Sequence, residues 1–329
     1  MKKFGNYMKK MKSIALAAAF SIGALGFYQC TNDDSLFEGF ENEPDFETLQ
    51  EVHDLITQSD TVYFTVTDIE IPQDFNTPGG MRIHFPVSSF GTNGGEVITP
   101  IKIKLVELYK RGDIVRHNMQ TYTNQNPLVS AGIFWISGTD VNGTEVIFSG
   151  VTAYIPRQTD ADGYENNMEY LTGMTQTKPS GIVNSWTASS GTVVFDETAG
   201  LNGEYTLDQV NSGWNSAQAL YDFDLGAQEP TQFKVQVSNS SGFDKTEVFF
   251  TNNDFTVVSA LTQADSDGIS TFTGSIPKGV NGKLIAISLI DGALNFSTQD
   301  VTVNGDDTFT MTVSPGNPAE LQAMLTAIP

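Results

Sequence analysis

An all-β fold of antiparallel sandwiches, closed by one short helix at the end of the chain, is what this sequence predicts. Three observations carry the prediction. Runs of alternating apolar and polar residues recur from residue 61 onward, Asn-Gly and Asp-Gly pairs lie between many of them, and one stretch alone carries a full set of helix signals. Alternation of period two gives a strand one buried and one wet face. Asn-Gly and Asp-Gly accept the positive φ angles that tight hairpins require.

The chain begins with five lysines, at positions 2, 3, 9, 10 and 12, followed by the uncharged run IALAAAFSIGALGF over residues 14–27. A basic start and an apolar run this short predict a secretory signal over residues 1–29, because a spanning helix needs about twenty apolar residues. The single cysteine of the chain, Cys30, stands between this run and the acidic Thr31-Asn32-Asp33-Asp34. That arrangement resembles the lipoproteins of the Bacteroidetes type. The resemblance implies that Cys30 is lipidated and becomes the first residue of the mature chain, with display on the outer face of the outer membrane. Phe27 and Gln29 depart from the usual pattern, and cleavage near Ala24–Gly26 with simple secretion is the alternative. One cysteine allows no disulfide within the chain.

Acids outnumber bases 39 to 17, a formal charge of −22, and loss of the leader would leave 12 bases against 39 acids, a charge of −27. Nucleic acid demands a basic face, so this balance excludes it as a partner. Residues 31–60 hold ten acids and no lysine or arginine. Such a segment repels itself, and residues 30–60 are predicted as a tether that stays extended at least to about Pro44, with a short helix over Glu47 to Ile56 as the competing reading.

Two sandwich domains are expected after the tether, over residues 61–228 and 229–329, with a boundary at Gly226 and Pro230. In the first, TVYFTVT (61–67), IKIKLVEL (101–108) and EVIFSGVTAYI (145–155) alternate. In the second, FKVQVS (233–238), KLIAISLI (283–290) and TFTMTVS (308–314) do so. Turns are predicted at Asn93-Gly94, Asn142-Gly143, Asp162-Gly163, Asp267-Gly268, Asn281-Gly282 and Asn304-Gly305. Gly79, Gly80, Pro86 and Pro156 give the first part a resemblance to ZU5-like sandwich segments, which implies a shape and no catalytic residue. The helix is NPAELQAMLTAI, with Asn317 as N-cap, Pro318 in the first turn, Glu320 three residues after the cap, and Leu321, Met324, Leu325 and Ile328 along one face.

The sequence offers little catalytic chemistry. There is no G-x-S-x-G, and Ser275-Ile276-Pro277-Lys278 places a proline inside the S-x-x-K spacing, which favours a turn. His53, His84 and His117 show no metal-ligand spacing. Asp160, Asp162 and Glu165, and likewise Asp265 and Asp267, sit in Gly-containing turns, where carboxylates two apart suit calcium or simply stabilise the turn. Trp186 and Trp214 lie among Ser, Asn and Gly, and Tyr221 follows shortly after. Exposed aromatic rings beside carboxamides suit the C–H faces of sugars. The resulting expectation is a non-catalytic, surface-displayed binding or scaffold module that contacts an extracellular glycan or surface protein and needs no cofactor. A hydrolase of polysaccharide or peptide, its carboxylates hidden among the many, is the alternative.

Overall fold

The computed structural model describes residues 45–329, apart from 124, 179–180 and 225–227. Cys30 and the leader therefore lie outside the described residues. Strands follow the alternation. In Ile101–Leu108 the residues Ile101, Ile103 and Leu105 are buried while Lys102 is exposed. This strand joins a large antiparallel sheet whose main path runs Val62–Val66, Ile101–Leu108, Asn126–Thr139, Gly213–Leu220, Glu169–Lys178, Gly181–Ala188. A five-stranded sheet, ordered Val193–Asp196, Glu204–Val210, Val151–Pro156, Arg82–Phe85, Gln73–Asn76, packs on it. Ile101, Ile103 and Leu105 of the first sheet share one core with Ile83, Phe85, Ala153 and Leu207 of the second. This is the first sandwich.

The second sandwich pairs a five-stranded and a four-stranded sheet. Phe250, Leu284 and Ala286 come from one and Phe233, Val235 and Met311 from the other. Its one departure from the antiparallel expectation is the parallel pairing of Phe233–Ser238 with Asp307–Thr312. The predicted turn at Asn281-Gly282 is also corrected. Both residues open the strand Asn281–Ile290, and a side chain at Gly282 would meet the Phe250 ring at 2.2 Å. The glycine is there for close packing.

Three helices fill the seam between the sandwiches. The first, α1 (Leu49–Ile56), lies in the stretch predicted as tether, so the extended reading fails over these residues and the competing helix reading holds. The Thr48 hydroxyl accepts from the Glu51 N–H, and the Glu51 carboxylate accepts from the Thr48 N–H, a complete capping box. Leu49, Val52 and Ile56 are buried while Glu51 and Asp54 stay exposed. Burial of such side chains stabilises by about 1.5–3 kcal/mol each, which outweighs the repulsion of solvated acids.

The second helix, α2 (Arg111–Arg116), carries no side-chain cap and was not legible in the sequence. The third, α3 (Pro318–Thr326), has the predicted Asn317 cap, its side chain accepting from the Glu320 N–H at 3.0 Å, and buries Leu321 and Leu325. All three pack with Val106, Leu108 and Ile133 on the outer face of the large sheet, and with Phe249, Ile285 and Ile287 of the second sandwich. The large sheet is thus covered on both faces where the helices lie.

Candidate functional site

Where the helix cover ends, the outer face of the large sheet holds a cavity of about 270 Å³. Its walls are Leu128, Leu171, Trp186 and Leu220, with Thr123 and Glu169 beside them and Gln218 contributing from the central strand. Register explains the grouping: Gln218 pairs with Glu169 on one side and Ser130 on the other, Leu220 pairs with Leu128, and Leu171 with Ala188. A shallower basin of about 550 Å³ continues past Glu169 and Leu220 to Asn166, Asn167, Tyr221 and Asp222. Leu220, shared by both, is 60% exposed.

Gln218 is the unusual member. It is fully buried, and neither its amide nitrogen nor its carbonyl oxygen has a hydrogen-bond partner among the described residues. Natural folds pair most buried polar groups, and each one left unpaired costs about 1–3 kcal/mol. An amide kept unpaired in an apolar wall is a recognition group awaiting a partner, or a defect the fold tolerates.

Two of the three predicted ligand-binding aromatics come to this groove, though not as predicted. Trp186 lies in the strand Gly181–Ala188 and is 1% exposed, its indole N–H donating to the Gln120 carbonyl at 2.7 Å. The expectation of an exposed loop indole is therefore corrected, because the polar neighbours Ser185 and Thr187 are simply the alternate residues of a strand. Tyr221 is nearly buried. Its hydroxyl donates to Gln228 Oε1 at 2.5 Å, and its ring meets Phe223 and Phe255 edge-on. Burial, reinforced by Tyr164 and two nearby aspartates, pushes this phenol up to about 12, so it stays neutral. Trp214 lies elsewhere, opposite Trp135 in the large sheet and edge-on to His117 at 6.0 Å, packed against the helical seam. It is not part of the groove.

The acidic turns are engaged with cations of the protein. Asp160 faces Arg111 at 3.5 Å, while Asp162 and Glu165 lie 3.1 and 2.5 Å from Arg157. Asp265 accepts from Lys234 and from the backbone N–H groups of Asp267 and Gly268, contacts that pull its carboxyl below the usual range. Among the described residues no three His, Cys, Asp or Glu side chains converge as a metal site would require. At Asp160, Asp162, Glu165, Asp265 and Asp267, the residues named for calcium, the described contacts are those of turns and ion pairs.

The residues singled out for catalysis are engaged in the same way. Ser275 donates to the Phe272 carbonyl while Lys278 pairs with Glu229. His84 pairs with Asp74, His117 with Asp60, and His53 with Glu247. A second open cleft, about 480 Å³, is lined by Gln232, Gln263, Asp265, Thr271 and Phe272. Its polar groups already bond to neighbours: Asp265 to Lys234, Thr271 to the Phe233 N–H, and Gln232 to Thr273. It offers less to a ligand than the groove at Gln218.

No protein family and no curated protein matches this chain. Among solved structures it is similar to the Bacillus anthracis TIE protein, at 10% identity and a TM-score of 0.19 over 82% of this chain. The similarity spans 45% of that protein's chain, and at such a score it carries no argument.

Proposed function

We propose that this protein is a non-catalytic binding module, held on the outside of the outer membrane by lipid on Cys30, and that it takes its ligand in the groove between Trp186 and Tyr221. The observation that carries the binding reading is the open cavity on the outer face of the sheet, with apolar walls at Leu128 and Leu171, an exposed Leu220 at its mouth and Thr123 and Glu169 beside them. Pockets that bind small molecules have this composition, apolar walls with a few polar groups that fix orientation. The non-catalytic part rests on the surroundings. Among the described residues Glu169 is the one carboxylate lining the cavity, with Asp222 in the basin outside, and glycoside hydrolysis needs two at a defined separation.

Titration of the purified chain with glycan and peptide libraries, followed by amide chemical shifts, tests the reading. Shifts centred on residues 169–171, 186–188 and 218–221 without product formation support it. Turnover that disappears on Glu169→Gln would replace it with the hydrolase reading. The anchor is motivated by Cys30 between the apolar leader and the acidic run. Cys30→Ala is expected to move the protein from the membrane pellet to the soluble fraction, and an unchanged pellet would remove lipidation from the account. Two acyl chains give stable anchorage, since each buried methylene contributes about 0.8 kcal/mol.

A further inference from the structure

We propose that the free edge of the strand Val62–Val66 receives an extended segment of a partner protein, added as one more strand, whose residues alternate between apolar and acidic. This surface is separate from the groove and does not rest on it.

The first reason is that the edge is unguarded. Val62–Val66 ends the path of the large sheet, and among the described residues only Ile101–Leu108 pairs with it. Exposed strand edges invite pairing with another chain, and folds blunt them with charges, prolines, bulges or covering segments. Elsewhere this fold does so. Gln73–Asn76 carries Asp74, Val193–Asp196 carries Asp196, and Asp307–Thr312 opens on Asp307. The Thr123 hydroxyl donates to the Trp186 carbonyl on the edge strand Gly181–Ala188, and Thr121 and Gln120 bond the outer side of Val258–Ala260. By contrast TVYFTVT, residues 61–67, holds no charge, no proline and no glycine, and its five pairs with Ile101–Leu108 run without a bulge. Uncharged, β-prone segments of this length are the ones most ready to pair.

The second reason lies on the inner side of the edge. Phe64, from this strand, is half-buried on Phe75 of Gln73–Asn76, with ring centroids 4.7 Å apart. Both strands end their sheets, so these two rings stand at the open side of the sandwich. An added strand lies about 4.8 Å away and sends alternate side chains to the two faces. Its inward residues extend the cover over Phe64 and Phe75, which calls for apolar ones.

The third reason is charge. Every arginine, together with Lys234, Lys278 and Lys283, faces a carboxylate of the fold. Lys102 and Lys104 face none among the described residues, and both point away from the core that Ile101, Ile103 and Leu105 enter. Lys104 is opposite Tyr63, and the Lys102 ammonium leans over the Tyr63 ring, 4.1 Å from its centroid. Tyr63 is itself 52% exposed, so this charge is presented at the edge strand. Outward residues of the added strand meet unpaired positive charge, which selects aspartate or glutamate. The wider charge of −22 is screened beyond about 8 Å at physiological salt, so the local lysines decide. A second copy of this chain would set the same lysines against each other, which disfavours it as the occupant.

The test is NMR and calorimetry on the full chain with two blocked heptapeptides, one alternating valine with glutamate and one alternating valine with lysine. The expected result is binding of the glutamate peptide alone, with slowed exchange of alternate amides in Val62–Val66. In the double variant Lys102→Glu, Lys104→Glu its affinity should fall about tenfold, and the lysine peptide should bind instead. Equal binding of both peptides to the native edge would overturn the acidic assignment. No change at Val62–Val66 with either peptide would overturn the edge as a docking site. Protection of those amides without peptide, through a concentration-dependent dimer, would give the edge to a second copy and overturn the proposed partner. None of these failures touches the groove, whose shifts fall at residues 169–171, 186–188 and 218–221.

Discussion

Replacing Glu247 with alanine is expected to cost the folded state about 3–5 kcal/mol, because it isolates a buried histidine at the heart of the seam. His53, on α1, is 1% exposed. Its Nδ1 lies 2.8 Å from the Arg116 carbonyl, which only accepts, and its Nε2 lies 2.8 Å from Glu247 Oε2. The doubly protonated ring donates to both. Asn118 completes the pair by donating to Glu247 Oε1 at 3.1 Å. Asp54 adds negative potential, and the Arg116 guanidinium is itself neutralised by Asp60 and Asp113.

Burial alone would push the imidazole down. The charge and hydrogen bond of Glu247, with the Arg116 carbonyl, more than offset it and hold the folded value above 6.5. The sign of the pH dependence follows. A raised folded value contributes stability that is complete below the unfolded value of 6.5 and is lost as pH rises through the folded one. Urea midpoints of the native protein should therefore fall as pH climbs from about 6 to about 9, with a flatter profile in Glu247→Gln. Equal slopes in the two proteins would show that this pair does not hold α1 in place.

Gly112→Ala should also be damaging. Gly112 lies in α2, and a β-carbon there would fall 1.8 Å from the Leu325 carbonyl oxygen and 3.0 Å from that of Ile328. Both obstacles are backbone, so α2 and α3 must separate and open the core around Ile114, Leu321 and Leu325. Overpacking usually costs about 1–3 kcal/mol, and a contact this short puts the variant at or beyond the upper end. Alanine gains about 1 kcal/mol over glycine in helix propensity, so the two effects oppose each other and packing is expected to win. A clear fall in Tm is the predicted result. An unchanged or raised Tm would mean that the two helices are not closely apposed.

The elements legible in the sequence are those whose signals are local. IKIKLVEL declares its strand through Ile101, Ile103 and Leu105, and Asn317, Pro318 and Glu320 declare α3. What escaped depends on distant partners. RGDIVR becomes helical because Ile114 and Val115 bury against α3 and the large sheet, and its six residues hold no cap. The charge of LQEVHDLI suits a tether, while its stripe of Leu49, Val52 and Ile56 is the face that the fold buries.

Trp186 and Gln218 escaped for a related reason. The Ser, Asn and Thr around Trp186 suit an exposed loop, and the wet residues of a strand give the same composition. Nothing local marks Gln218, which stands between Ala217 and Ala219, and only the assembled fold takes it out of water.

The account depends most on that carboxamide being left unpaired in the wall behind the groove. Its most direct test is urea denaturation of Gln218→Met, a side chain of similar length without either amide end, measured with no ligand added. If the fold bears an unanswered amide, the variant should be more stable by roughly 1–3 kcal/mol, stability having been given up for function at this position. A variant less stable than the native protein would mean that the amide is already satisfied within the fold and serves packing, and the groove would then lose its claim to be a binding site.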